Sequence, residues 1–229
     1  MKILIACEYS GIVRDAFIKK GHDAISCDLL PTESPGPHYQ GDVFDIINDG
    51  WDMMIGFPPC THLANAGGVY FEKKRKDGRQ KDAILFFKKL LAAPIHKIAL
   101  ENPVGILSSD WYIYTHFPDL LSELKEVGMP RKPDQVVQPF YFGDPLRKYT
   151  CLWTKNLPKL IWNRAENLFE SATYIEPKQP TSSYVRTGAY RTGTLRKVYW
   201  QELLPKKDRA KIKAKTFPGI ASAMAEQWG

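Results

Sequence analysis

The sequence predicts an α/β fold: a mostly parallel sheet with helices on both faces, joined to a small, basic, irregular second lobe. Three observations carry this. Short apolar runs bounded by turn residues, "KILIA", "DAISCD", "DMMIGF" and "HKIALENP", read as buried strands. Helical patterns separate several of them, so those strands are joined by crossovers and run parallel. From about Asn156 to Thr216 the periodicity weakens while Pro, Lys and Arg increase. The chain thus divides into a core over residues 1–155, a basic lobe over 156–216 and a terminal helix over 217–229 that returns to the core.

Taken in order, Lys2–Ala6 is the first strand, and Ser10 caps a helix whose apolar Ile12, Val13, Ala16 and Phe17 share one face before Gly21 ends it. "DAISCD" (23–28) is the second strand. The Pro-rich "PTESPGPHY" after it reads as a loop, and "DVFDII" as a weak short element. "DMMIGF" (52–57) is another buried strand and runs into Pro58-Pro59-Cys60. Beyond the basic "EKKRKDGRQK" (72–81), "KDAILFFKKLLAA" is a helix stopped by Pro94, and "HKIALENP" is the next strand.

Composition narrows the class. With 44% hydrophobic and 12% aromatic residues the chain is globular. No apolar run approaches the roughly 20 residues a bilayer span needs, and the start turns polar too early for a signal peptide. A cytoplasmic protein is expected. Cys7, Cys27, Cys60 and Cys151 stand far apart, which predicts neither a zinc site nor a disulfide framework. The net charge of +7 is uneven, since residues 186–215 hold ten Lys and Arg against Glu202 and Asp208. Arg186, Arg191, Arg196 and Lys197 lie near Tyr184, Tyr190, Tyr199 and Trp200, the mixture that phosphates and stacked bases require.

Ligands of such a sheet collect at the carboxyl ends of its strands. The first ends in Cys7-Glu8-Tyr9-Ser10-Gly11, a tight turn into a helix. The second ends in Asp28, placed to hold the hydroxyls of a ribose. The strand near residue 55 ends in Pro58-Pro59-Cys60, and the next in Glu101-Asn102-Pro103. One edge therefore carries a turn, an acid for a ribose, a thiol and a second acid.

The order of the Ser10-Gly11 turn, Asp28, Asp42 in "GDV", Pro59-Cys60, and Glu101-Asn102 about forty residues later resembles the cytosine C5 DNA methyltransferases, in the short form found in phage genomes. "FGDPLRKYTCLW" (142–153) is similar to that family's Arg-containing strand, and "FPGIASAMAEQW" (217–228) to its terminal helix. The resemblance spans about two thirds of the chain. It implies a Rossmann-like, S-adenosylmethionine-dependent methyltransferase fold acting as a monomer on double-stranded DNA without a metal. It further implies catalytic roles for Cys60, Glu101, Arg147 and Lys148, and cofactor contacts from Glu8, Tyr9, Ser10, Gly11, Asp28, Asp42 and Pro58. Pro59 and Asn102 would shape the base pocket. Departures are Glu8-Tyr9 in place of a Gly-rich turn, Thr61 after the cysteine, Pro103 after Glu-Asn, and Leu146 and Thr150 where Gln and the last Arg stand.

The chemistry explains the set. C5 of cytosine attacks a sulfonium methyl only after a thiolate adds at C6, the role of Cys60. A carboxyl at N3, that of Glu101, stabilises the adduct and selects cytosine. A free thiol needs positive charge or a helix N-terminus nearby to ionise at neutral pH, and the basic loop after Cys60 is one candidate contributor. The 63 residues from Thr154 to Thr216 are rich in phosphate-type contacts, which predicts a short, relaxed target sequence. Other readings are a degenerate methyltransferase fold that binds nucleic acid without turnover, and a pyrimidine nucleotide C5 methylase, because "FPPCTH" also resembles thymidylate synthases. An amino-methyltransferase would need an aromatic residue in place of Cys60.

Overall fold

The computed structural model describes residues 1–162, 181–185, 194–198, 205 and 209–229. Seven strands form one sheet: β1 (Lys2–Ala6), β2 (Asp23–Asp28), β3 (His38–Gln40), β4 (Met53–Gly56), β5 (Lys97–Pro103), β6 (Gln135–Val137) and β7 (Thr150–Lys155). Their spatial order is β3-β2-β1-β4-β5-β7-β6. β1 to β5 run parallel. β7 enters antiparallel between β5 and β6. A separate antiparallel hairpin, β8 (Thr181–Val185) with β9 (Thr194–Val198), lies in the basic segment.

Strand alternation sorts the core into two layers. Ile3, Ile5, Met53, Ile55, Ala99 and Leu152 face α1 (Ile12–Lys19) and the C-terminal helix Pro218–Trp228, meeting Val13, Phe17, Ile220, Met224 and Trp228. The intervening Leu4, Ala6, Met54, Ile98, Leu100 and Trp153 face the opposite layer. That layer is built from α3 (Arg79–Leu91), α4 (Asp110–His116) and α5 (Leu121–Lys125), which supply Ile84, Phe87, Leu90, Ile113 and Leu124. The short α2 (Phe71–Lys76) precedes α3. The result is a doubly wound, Rossmann-like α/β fold, with the carboxyl ends of β1, β2, β4 and β5 on one edge.

Several expectations change. β3 arises inside the stretch read as a loop, pairing Ser26–Asp28 with His38–Gln40. "DVFDII" forms only a 3₁₀ turn, Val43–Asp45. Residues 156–162, assigned from sequence to the basic lobe, lie against the core: Leu160 is buried and exchanges two hydrogen bonds with the Gln135 side chain, at 2.7 and 2.8 Å. Among the described residues no helix is long and apolar enough to cross a membrane, and no group of three or more His, Cys, Asp or Glu could hold a metal ion.

Candidate active site at the carboxyl edge of the sheet

The β1–α1 turn is held by Glu8. Its Oε1 accepts the Val13 amide at 2.8 Å and the Ser10 hydroxyl at 2.9 Å, and Oε2 accepts the Arg14 amide at 3.4 Å. Glu8 thus satisfies the orphan amides of the α1 N-terminus, the task the sequence assigns to Ser10. Ser10 supports it by donating to Glu8 and accepting from Ile12. Gly11 sits at φ 76°, where a Cβ would lie 2.5 Å from Nη2 of Arg14. Burial pushes the Glu8 carboxyl up, and the donors from Val13, Ser10 and Arg14 oppose the shift. Glu8, expected from the resemblance among the cofactor contacts, is thus engaged in capping the helix.

Arg14, which sequence reasoning passed over, is fully buried and organises the loop after β2. Its guanidinium donates to Ser26 (3.1 Å), Thr32 (3.2 Å) and the carbonyls of Ser34 (3.0 Å), Pro35 (3.2 Å) and Pro37 (3.4 Å). A buried arginine in "SGIVRD" reads as an exposed helix position unless the loop that it fills is known. Asp28 lies at the end of β2, with Oδ1 accepting the Leu30 amide at 2.9 Å, and Asp42 caps Phe44 at 3.0 Å. Asp28 thus stands at the carboxyl edge of the sheet, and Asp42 just beyond β3.

Cys60 follows β4 on a loop braced from several sides. Asn102 donates to Pro58 O at 3.1 Å, Lys74 to Thr61 O at 2.6 Å, and Gln80 to His62 O at 3.1 Å. Backbone bonds Asn65 N to Val104 O (3.1 Å) and Ile106 N to Leu63 O (2.9 Å) tie the loop to the residues after β5. Pro59 is exposed beside the thiol and Pro58 is buried. The basic segment therefore acts here through Lys74, on a backbone carbonyl.

The antiparallel register of β5 and β7 pairs Pro103 with Thr150 and Glu101 with Leu152, which carries the segment before β7 past the Glu101 carboxylate. Lys148 Nζ lies 3.9 Å from Glu101 Oε1, at side-chain exposures of 18% and 13%. Glu101 Oε1 and Asn102 Oδ1 are buried without a hydrogen-bond partner among the described residues. Burial pushes the Glu101 carboxyl up, opposed by Lys148. The Cys60 thiol is also raised, first by burial and then by Glu101, while Lys148 and Lys213 pull it down. The charges acting on the thiol are thus Lys148 and Lys213, in place of the basic loop that the sequence offers as a candidate. Arg147, by contrast, lies over the Phe140 ring at 5.5 Å. Arg147 and Lys148 both precede β7 in irregular chain, one step outside the expected strand.

Phe57, Glu101, Lys148, Thr150, Thr216, Phe217, Ile220 and Met224 line a narrow cavity at this edge. Thr216 and Phe217 reach it because "FGDP" and "FPG" meet. Asp144 accepts the Gly219 amide at 2.8 Å, and a Cβ on Gly219 would lie 1.9 Å from Phe142 O. Asp144 was not singled out from the sequence; its acid-before-proline context reads as a turn. Arg186 and Arg191 lie outside the described residues, and Arg196 and Lys197 fall on β9.

The sequence matches no protein-family model and no curated protein. Among solved structures, the Entamoeba histolytica methyltransferase EhMeth is similar over 76% of this chain, at 13% identity and a TM-score of 0.44. The chain covers 57% of that protein's length.

Proposed function

We propose that this protein is an S-adenosylmethionine-dependent methyltransferase acting on C5 of cytosine in double-stranded DNA. The observation that carries the reading is the juxtaposition at adjacent strand ends of the Cys60 loop and Glu101, whose carboxyl is buried, raised, and paired at Oε1 with Lys148 without a hydrogen bond there. Burial favours the protonated form of this carboxyl, the form that donates to N3 of cytosine.

On this reading the Cys60 thiolate adds to C6 while Glu101 gives its proton to N3, and the electron pair moves to C5. Lys148 balances the Glu101 carboxylate that is left and favours the thiolate. Asp28, Asp42 and the Tyr9–Gly11 turn would hold the cofactor, which would supply an electrophilic methyl group to C5. After C5 loses its proton to a base, the ring expels the thiolate and N3 returns its proton to Glu101. The donor set fits such a cofactor: two edge carboxylates suit hydroxyl and amine groups, and the β1–α1 turn leaves no bulky side chain at Gly11. The base must leave the helical stack to reach Cys60, at a cost of a few kcal/mol. The small size of the segment from Thr154 to Thr216 supports a short, relaxed target.

A duplex containing 5-fluorocytosine tests this, because fluorine at C5 blocks the final elimination. With cofactor present, a covalent protein–DNA complex is expected, and Cys60→Ser abolishes it while cofactor binding persists. An adduct that survives in Cys60→Ser, or no adduct in the parent, overturns the assignment.

A further inference from the structure

A short run of the chain crosses the same edge. The helix Arg209–Ala214 leads through Lys215 to Phe217, and its contacts are with the turn after β1 and the loop after β2. Tyr9 donates its hydroxyl to Lys211 O at 2.6 Å, and Lys211 Nζ lies 5.6 Å from the Tyr9 ring centre. Lys211 pairs with Glu33 Oε1 at 2.6 Å, and Lys215 pairs with Glu33 Oε2. Four residues apart, the two lysines lie one turn from each other and converge on a single carboxylate. Lys148 donates to Lys213 O at 3.4 Å, which links the same run to Glu101. Beyond Phe217 the chain is fixed by Asp144 and by the close approach of Gly219 to Phe142.

The run is thus anchored at one end and held at the other by ion pairs. Those pairs are partly exposed, Lys211 at 54%, Lys215 at 33% and Glu33 at 28% of the side chain. Such pairs are weak, and another anion can displace them. The Glu33 carboxyl is pulled below its usual range by Lys211 and then Lys215, consistent with the pairing.

We propose that residues 211–216 form a strap whose lysines exchange Glu33 for the phosphates of nucleic acid, so that binding of the polyanion releases the strap from Tyr9 and Glu33. Glu33 is then a positioning residue that competes with nucleic acid. The inference rests on the nucleic-acid reading given above.

Anisotropy of a labelled duplex of about 20 base pairs at about 50 mM salt measures the competition. Glu33→Gln is expected to bind about 3- to 10-fold tighter, since two surface pairs no longer hold the lysines back. Adding Glu33→Gln to a Lys211→Gln/Lys215→Gln background is expected to give no such gain. An unchanged affinity in Glu33→Gln, or a gain that persists without the lysines and so reflects through-space repulsion alone, overturns the proposal. Hydrogen exchange at the 211–216 amides provides an arm that needs no DNA. Exchange is expected to be faster in Glu33→Gln, to return to the parent rate in Glu33→Asp, and to rise in the parent when duplex is added. Equal exchange in parent and Glu33→Gln refutes the strap. If the parent binds no duplex, the nucleic-acid reading and the swap fall together, and faster exchange in Glu33→Gln still identifies the ionic latch.

Discussion

Replacing Lys148 by Met removes the cation that faces both Glu101 and Cys60, and the consequence can be worked from the structure. At 3.9 Å and an effective dielectric of about 20, the gross attraction between Lys148 and Glu101 is about 4 kcal/mol. The ammonium also donates to Lys213 O, and both side chains retain some solvent, so about a third of that figure is a fair net value. Losing that attraction removes the charge that opposes burial, so the Glu101 carboxyl should rise further. The thiol, raised already by burial and by Glu101, loses the larger of its two compensating charges. Its ionisation midpoint should move up. The assay is the rate of iodoacetamide alkylation against pH, resolved by peptide mass spectrometry so that Cys60 is separated from Cys7, Cys27 and Cys151. Glu101→Gln supplies the opposite sign, since removing the carboxylate should lower the Cys60 midpoint. A Lys148→Met profile unchanged or shifted downward, or a Glu101→Gln profile shifted upward, would refute the electrostatic account of this site.

Two further outcomes are expected. Glu101 has a folded-state pKa above the 4.5 of an ordinary glutamate, so its ionisation costs stability as pH rises from that value through the folded one; Glu101→Gln should therefore match the parent in urea unfolding near pH 4 and exceed it by about 1–3 kcal/mol near pH 8, and an advantage that does not grow with pH would contradict this. Arg14→Met should lower stability by about 3 kcal/mol, because the carbonyls of Ser34, Pro35 and Pro37 lose a charged donor; hydrogen exchange confined to residues other than 29–37 would show that the loop is held by something else.

The parallel core was legible because its strands are nearly continuous apolar runs, and such runs occur where both faces are covered. β3 was not, because three residues after a Pro-rich stretch carry no period of their own and form a strand only by pairing with β2. The 3₁₀ turn and short helices between residues 104 and 125 escaped for the same reason: Pro118 and the brevity of each piece erase periodicity. In the site, Cys60 and Glu101 were legible as strand-end residues. The function of Glu8 was not, since an acid three residues before the N-cap glycine closes on the helix only through the tight turn formed by Cys7 at φ 57°. Glu33, Asp144 and Lys213 gain meaning from contacts spanning up to about 180 positions in sequence, which no local pattern encodes.

The chain leaves the core near Ile161, which exchanges two 2.8 Å hydrogen bonds with Gln227 of the C-terminal helix, and Trp228 donates to Pro158 O at 3.0 Å. Re-entry is fixed at Gly219 by Asp144. Both roots are thus clamped to elements of the sheet layer. Closing a loop twice as long costs only about 0.6 kcal/mol more, so a graft of different length and composition between Trp162 and Arg209 should leave the sheet and the Cys60–Glu101 edge intact. On the function proposed above, selectivity would then be exchanged by splicing, without redesign of the Cys60–Glu101 edge.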